Sequence, residues 1–73
     1  MTEEIAIHTD TIQLSQFLKW AGITDSGSQV NYFLERKIIK INGILVTEKR
    51  KKIAVGDIVE IKDVGTWRII HEE

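Results

Sequence analysis

The chain has 73 residues and contains neither proline nor cysteine, a length that predicts one small domain spanning residues 1–73. Hydrophobic residues make up 42% and charged residues 29%, which is the balance of an ordinary globular protein rather than of a disordered tail. The lack of cysteine excludes disulfide frameworks, thiolate metal sites and cysteine nucleophiles. Because the sequence has no long apolar run and no signal-peptide pattern, it favours a cytoplasmic protein.

The ten basic residues are concentrated in one part of the chain. Residues 36–52 contain seven lysines and arginines against Glu48 alone, residues 1–35 contain one lysine against five acidic residues, and residues 53–73 contain two bases against five acids. The formal net charge of −1 therefore hides a positive segment between two acidic flanks. A local positive field of this kind attracts polyanions, which makes nucleic acid a candidate partner. A solvated charged loop is the alternative interpretation.

The N-terminal part predicts a strand followed by a helix. Polar and apolar residues alternate from Glu3 to Asp10, as in a half-buried strand. Residues 9–11, with the sequence Thr-Asp-Thr, offer oxygen atoms that can cap a helix N-terminus. Apolar residues at helical spacing, followed by a glycine that can end the helix, predict the first helix: Leu14, Phe17, Leu18, Ala21 and Gly22.

A second helix is predicted from Gly27 to Arg36. Ser26 and Gln29 match the capping-box pattern, in which the serine oxygen accepts a hydrogen bond from a first-turn amide and the glutamine reaches back. The last turn holds Arg36 and Lys37, whose charges are favourable beside the negative end of the helix dipole. The apolar stripe of this helix consists of Val30, Phe33 and Leu34.

Asn42-Gly43 predicts a β-hairpin, because a two-residue type I′ turn requires positive φ at both residues. The turn sets the register: Ile41 lies opposite Ile44, and Lys40 lies opposite Leu45. Lys40 then points away from the core. The residues predicted to share the apolar face of this hairpin are Ile39, Ile41, Ile44 and Val46.

Two further strands are predicted near the C-terminus. A turn at Val55-Gly56-Asp57 leads into a strand at Ile58–Ile61, and Gly65 introduces a strand at Thr66–Ile70 in which Trp67 faces the core. The order of elements is one strand, two helices and then several antiparallel strands. We therefore predict an α+β fold in which two short helices pack on a small, curved, mainly antiparallel sheet.

The ordered set of motifs in residues 14–61 resembles the S4 (S-four) RNA-binding domain, which is named after ribosomal small-subunit protein four. The length of the chain and its closing residues 65–69 are similar to the stand-alone short bacterial form of that domain. The resemblance implies an RNA-binding, ribosome-associated module that docks structured RNA, such as ribosomal RNA or a tRNA-like element. The motifs that carry it are Leu14, Phe17-Leu18, Ser26–Gln29, Ile41–Gly43 and Val55–Val59.

In that family the second helix, the following hairpin and the basic loop behind it hold RNA. Four consecutive cations at Lys49–Lys52 are the strongest candidate here, because they can neutralise phosphates and release counterions. Many members have arginine in place of Gly27 and a basic residue in place of Asn31, although exposed first-turn amides at Gly27 can bind a phosphate. The matching positions are Ser26, Gln29, Lys40, Arg50, Lys51 and Lys52, and the neighbouring cations are Lys19, Arg36, Lys37 and Lys49.

The aromatic and histidine residues give weaker signals. Trp20 and Tyr32 could stack on unpaired bases, but aromatic side chains in so small a domain are expected to pack, and neither is a predicted site residue. His8 and His71 could approach each other as metal ligands, but no spacing fixes them on one element.

The sequence therefore predicts no catalytic residues, no metal site, no cofactor and no small-molecule substrate. Its serines have no recognisable base, and no glycine-rich phosphate loop follows a strand. An enzyme is not expected. The alternative to an RNA-binding module is a protein-interaction adaptor that has kept the fold and lost RNA affinity, with a ribosomal protein as a possible partner for its acidic flanks.

Overall fold

Seven short strands and two helices make up residues 2–72, the part of the chain that the computed structural model describes. The elements are β1 (Thr2–Ile7), β2 (Thr11–Gln13), α1 (Leu14–Trp20), α2 (Gly27–Glu35), β3 (Ile39–Ile41), β4 (Ile44–Leu45), β5 (Lys52–Ala54), β6 (Ile58–Ile61) and β7 (Gly65–His71). Neither helix in this range is long enough to cross a bilayer.

The strands form two sheets. The larger sheet has the order β1, β7, β6, β3, β4, and β2 pairs with β5 in a separate two-stranded sheet. All pairings are antiparallel except that of β1 with β7, which is parallel. This arrangement confirms the predicted α+β fold with a mainly antiparallel sheet.

The buried apolar side chains of residues 2–72 form one cluster, to which both helices and both sheets contribute. Phe17 of α1 contacts the Trp67 ring edge to face, with ring centroids 6.4 Å apart, a preferred geometry for aromatic pairs. Gly65 makes room for this indole, since a β-carbon there would lie only 3.2 Å from it. The cluster comprises Ile7, Leu14, Phe17, Leu18, Val30, Leu34, Ile39, Ile41, Val46, Ile53, Val59, Ile61, Trp67 and Ile69.

The start of α1 differs from the prediction. β1 ends at Ile7, and the Thr-Asp-Thr residues 9–11 do not cap the helix, because Thr11–Gln13 forms β2 and pairs with β5. Gln13 occupies the N-cap position without a side-chain hydrogen bond. Tertiary strand pairing has here replaced the local capping that the residue types favour.

The end of α1 is as predicted. Gly22 adopts a left-handed conformation with φ of 73°, and its N–H donates to the carbonyl of Lys19 over 3.1 Å. The N–H of Ile23 donates to the carbonyl of Leu18 over 2.9 Å. These two bonds form a Schellman motif, which pairs the last carbonyls of the helix.

The capping box of α2 is only half formed. Ser26 is the N-cap residue, but its side chain makes no capping hydrogen bond. Gln29 does reach back, and its Oε1 accepts from the N–H of Asp25 over 2.7 Å rather than from that of Ser26. The prediction that the Gln29 side chain reaches back to a backbone amide before the helix is therefore confirmed. The prediction that the Ser26 hydroxyl accepts a hydrogen bond from a first-turn amide is wrong.

The hairpin has the predicted turn and register. Asn42 and Gly43 have φ of 52° and 82°, as a type I′ turn requires, and Ile41 pairs with Ile44. The burial of Ile44 is not as predicted: it is 70% exposed. Although pairing places it beside Ile41, β4 is a two-residue strand at the sheet edge, where the apolar face is left uncovered.

This difference in burial gives a test of the fold. Ile39→Ala should lower the free energy of unfolding by about 2–5 kcal/mol, because it leaves a cavity at a fully buried position. Ile44→Ala should change it by no more than about 0.5 kcal/mol. Urea denaturation followed by circular dichroism measures both values, and equal losses would contradict the burial of the hairpin described here.

Candidate nucleic-acid interface

The basic loop, residues 48–52, is attached to the start of α1 through its backbone. The N–H of Leu14 donates to the carbonyl of Lys51 over 2.8 Å, and the N–H of Ser15 donates to the carbonyl of Lys49 over 3.0 Å. Gln13 pairs with Lys52 in the small sheet. The bonds from Leu14 and Ser15 provide acceptors for first-turn helix amides that would otherwise lack partners. The basic side chains of the loop, Lys49–Lys52, are exposed to solvent.

A set of side-chain hydrogen bonds ties the hairpin turn to the turn before β6. Asn42 donates from Nδ2 to Oδ1 of Asp57 over 3.0 Å, and its Oδ1 accepts from the N–H of Ile58 over 3.0 Å. The Oδ2 atom of Asp57 accepts from the N–H of Ala54 over 2.9 Å. The Asn-Gly and Gly-Asp motifs of the sequence are therefore one connected unit, which sets the hairpin beside the basic loop.

Between the hairpin and the basic loop lies a shallow depression, the hairpin groove. Two exposed apolar side chains, Ile44 and Leu45, form part of its wall, and Lys51 and Lys52 form another part. The carboxylates of Glu48 and Asp57 also line the hairpin groove. The full lining is Ile41, Asn42, Ile44, Leu45, Val46, Thr47, Glu48, Lys51, Lys52 and Asp57.

A second depression, the helix groove, joins the basic loop to the end of α2. It brings Lys37 and Lys49 together, although they are twelve positions apart in the chain. Asn31, Leu34, Glu35 and Thr47 complete its lining. Thr47 also lines the hairpin groove, so the two depressions adjoin at this residue. Four of the predicted site residues therefore border these two adjoining depressions: Lys37, Lys49, Lys51 and Lys52.

Three further predicted cations, Lys40, Arg50 and Lys19, line neither groove. Lys40 is exposed on the outer face of the sheet, with Leu45 and Glu60 as its cross-strand neighbours. Arg50 is exposed at the tip of the basic loop. Lys19 lies in the last turn of α1 and lines neither groove.

Ser26, Gln29 and Arg36 belong to the two ends of α2. Ser26 and Gln29 are exposed at its start, where Gln29 binds the Asp25 amide. Arg36 donates from Nη1 to Oη of Tyr32 over 3.2 Å. Among residues 2–72, Arg36 is the only lysine or arginine whose side chain donates a hydrogen bond. Its acceptor is the Tyr32 hydroxyl oxygen and not a carboxylate.

Sequence reasoning missed several exposed or hydrogen-bonded groups, not all of which line the two grooves. Tyr32 and Trp20, which were expected to pack, are 53% and 56% exposed. For Tyr32 a signal was available, because it lies off the apolar stripe of α2. The exposure of Ile44 and the bond between Asn42 and Asp57 depend on tertiary structure, and no local pattern indicates them.

The histidines lie close to each other without forming a metal site. His71 pairs with Ile7, the neighbour of His8, across the parallel strands. His8 contacts the Trp20 ring edge to face, with centroids 6.1 Å apart. Within residues 2–72 there is no group of three histidine or acidic side chains that could hold a metal ion.

Comparison with known proteins identifies the class to which this fold and surface belong. The S4 domain family matches residues 5–70, and the chain belongs to that family. Membership points to RNA binding and a ribosome-related role. A protein of Bacillus subtilis (strain 168) named probable ribosome maturation protein RlbA is 34% identical over 71 residues, which is 97% of this chain and 100% of that protein.

A second relative shares only a part of its length with this chain. The lysine--tRNA ligase of Prochlorococcus marinus (strain MIT 9301) is 40% identical over 45 residues, which is 62% of this chain but 8% of the ligase. The similarity therefore concerns one small region of a much larger enzyme.

The bond network around Asp57 gives a second stability prediction. Asp57→Ala removes the acceptors for Asn42 and for the part-buried amide of Ala54, so the free energy of unfolding should fall by about 1–3 kcal/mol. Asp57→Asn keeps one acceptor oxygen and should lose less. Thermal or urea denaturation tests this, with Asp10→Ala as the exposed control. Equal effects of Asp57→Ala and Asp10→Ala would contradict the proposed role of these bonds.

Lys37 stands in a backbone conformation that favours glycine. Its φ is 56°, directly after the last residue of α2 and its C-cap Arg36. The left-handed region costs an L-residue about 1–2 kcal/mol. Glycine avoids this cost, but it loses more backbone entropy on folding than lysine does, which offsets part of the gain. Lys37→Gly should therefore raise the free energy of unfolding by about 1 kcal/mol in urea denaturation. Lys37→Arg keeps both charge and strain and should have no effect; a destabilised glycine variant would disprove this explanation.

Proposed function

We propose that this protein is a non-enzymatic module that binds structured RNA through the basic loop and the two grooves beside it. The observation that carries the proposal is the backbone anchoring of the loop on α1. It holds four consecutive basic residues with their side chains exposed and brings Lys49 beside Lys37. Cations held in fixed positions can bind several phosphates with little further loss of side-chain and loop entropy.

Ribosomal RNA is the first candidate for the RNA. The support is the relative from Bacillus subtilis, whose name refers to ribosome maturation and which this chain matches over its full length. A role on ribosomal RNA would place this protein in the cytoplasm. A tRNA-like element is the other candidate, because part of a lysine--tRNA ligase is also similar.

The chemistry of the grooves favours recognition of RNA by shape and backbone. Lys51 and Lys52 can contact phosphates, whereas Glu48 and Asp57 in the same groove disfavour a phosphate at its floor. The exposed Ile44 suits the apolar face of a ribose or base. Such a surface positions a folded backbone and carries little base-specific information.

Salt dependence tests the phosphate contacts. If about four phosphates are neutralised, the logarithm of the association constant should fall with the logarithm of salt concentration with a slope of roughly −3 to −4. Lys51→Gln should reduce that slope by about 1. Arg68→Gln, which removes the same charge from an exposed site on β7 away from both grooves, should not change it. Filter binding of labelled ribosomal RNA over a range of salt concentrations measures all three.

Charge reversal provides the stronger version of the test. The triple variant Arg50→Glu, Lys51→Glu, Lys52→Glu should lose saturable RNA binding while its thermal unfolding remains cooperative, because these side chains lie outside the buried cluster. A flat salt dependence of the unmodified protein, or a triple variant with full affinity, would contradict the proposal. If the unmodified protein forms no saturable complex with ribosomal RNA or total tRNA, the adaptor alternative is the better description.

A further inference from the structure

Tyr32 is displayed on the surface of α2 in a fixed arrangement with Arg36. Its ring is 53% exposed. The Arg36 guanidinium lies 5.4 Å from the ring centroid, and its Nη1 donates to the Tyr32 hydroxyl oxygen over 3.2 Å. Both contacts restrict the orientation of the ring. The Phe33 ring also lies beside it, with ring centroids 6.2 Å apart, and about half of the Tyr32 surface remains open to solvent.

The depression beside this ring has walls of mixed chemistry. Ile38, which is half-buried, contributes apolar surface, and Lys62 and Asp63 contribute opposite charges from the turn between β6 and β7. The N–H of Lys62 donates to the carbonyl of Ile38 over 3.1 Å, which holds this turn against the start of β3. Three elements of the fold therefore converge at the ring.

This combination suits a nucleobase better than a phosphate. A phosphate entering the depression would meet the Asp63 carboxylate as well as Arg36 and Lys62. A base has an apolar face that stacks on tyrosine, and its edge carries both donors and acceptors, which can pair with a carboxylate and a guanidinium respectively.

We propose that Tyr32 and Arg36 form a stacking site for one unpaired base of the RNA that occupies the grooves. The proposal rests on the proposed RNA-binding function and adds a ligand class to it. Successive helix residues are about 100° apart, so Tyr32 lies one step around α2 from Asn31 in the helix groove. An RNA strand that crosses α2 from that groove reaches the ring, and only an unpaired nucleotide can offer it a free base face.

The test uses two labelled RNA hairpins of the same stem sequence, one fully paired and one with a single bulged 2-aminopurine. We expect the unmodified protein to bind the bulged hairpin more tightly and to quench 2-aminopurine emission at saturation. Tyr32→Ala should weaken binding of the bulged hairpin by about five- to 150-fold, the usual effect of losing one stacked base. It should also abolish the quenching and leave the affinity for the paired hairpin unchanged.

Two conservative variants separate stacking from other causes. Tyr32→Phe keeps the ring and loses only the hydroxyl contact with Arg36, so it should retain the quenching. Tyr32→Leu keeps apolar surface without a π-face and should behave as Tyr32→Ala does. Because Tyr32 is exposed, all three variants are expected to unfold at about the temperature of the unmodified protein, which a thermal melt verifies.

The outcomes distinguish this inference from the function on which it rests. If the unmodified protein binds both hairpins equally, or if Tyr32→Ala or Tyr32→Leu still quenches, the stacking site is disproved while RNA binding by the basic loop stands. If the unmodified protein binds neither hairpin and no ribosomal RNA, the proposed function fails and the stacking site fails with it.

Discussion

The hydrogen bonds from the first amides of α1 to the carbonyls of Lys49 and Lys51 organise both the fold and the candidate interface. A helix start needs acceptors for its unpaired N–H groups, and here a distant segment supplies two of them. The same bonds hold the basic loop against the helix, and the four cations of the loop are exposed. One backbone contact therefore serves stability and charge display together.

Several groups on α2, at its two ends and in the following hairpin are not those that stability alone would select. Lys37 adopts a conformation suited to glycine, the Ser26 hydroxyl makes no capping bond, and Ile44 and Tyr32 expose large apolar surfaces. All four belong to α2, its C-terminal turn or the following hairpin. The buried cluster, by contrast, follows the expected periodicity closely. Local departures of this kind concentrate where proteins bind their partners, because binding surfaces are selected for contact rather than for packing.

The sequence predicted those parts of the structure that depend on local rules. Asn42-Gly43 allows one favourable turn and hence one register, and helical periodicity located both helices. The strand Thr11–Gln13 was missed because three residues carry no periodicity and its partner lies far along the chain. Clustered charge indicated the basic loop, but the meeting of Lys37 with Lys49 depends on tertiary structure. The exposure of Tyr32 could have been predicted from its position off the apolar stripe of α2. It was missed because aromatic side chains in a small domain are generally expected to pack.

The parallel pairing of β1 with β7 has a consequence for how the protein is made. Thr2 lies opposite Thr66, and Ile7 lies opposite His71. During synthesis, β1 leaves the ribosome before its hydrogen-bonding partner β7, so the strand must wait until the elements between them have also been made. The hairpin of β3 and β4 closes over only a few residues and can form much earlier, since short loops close at a lower entropic cost. The nascent chain therefore carries an unpaired β1 while the elements from β2 to β6 are made.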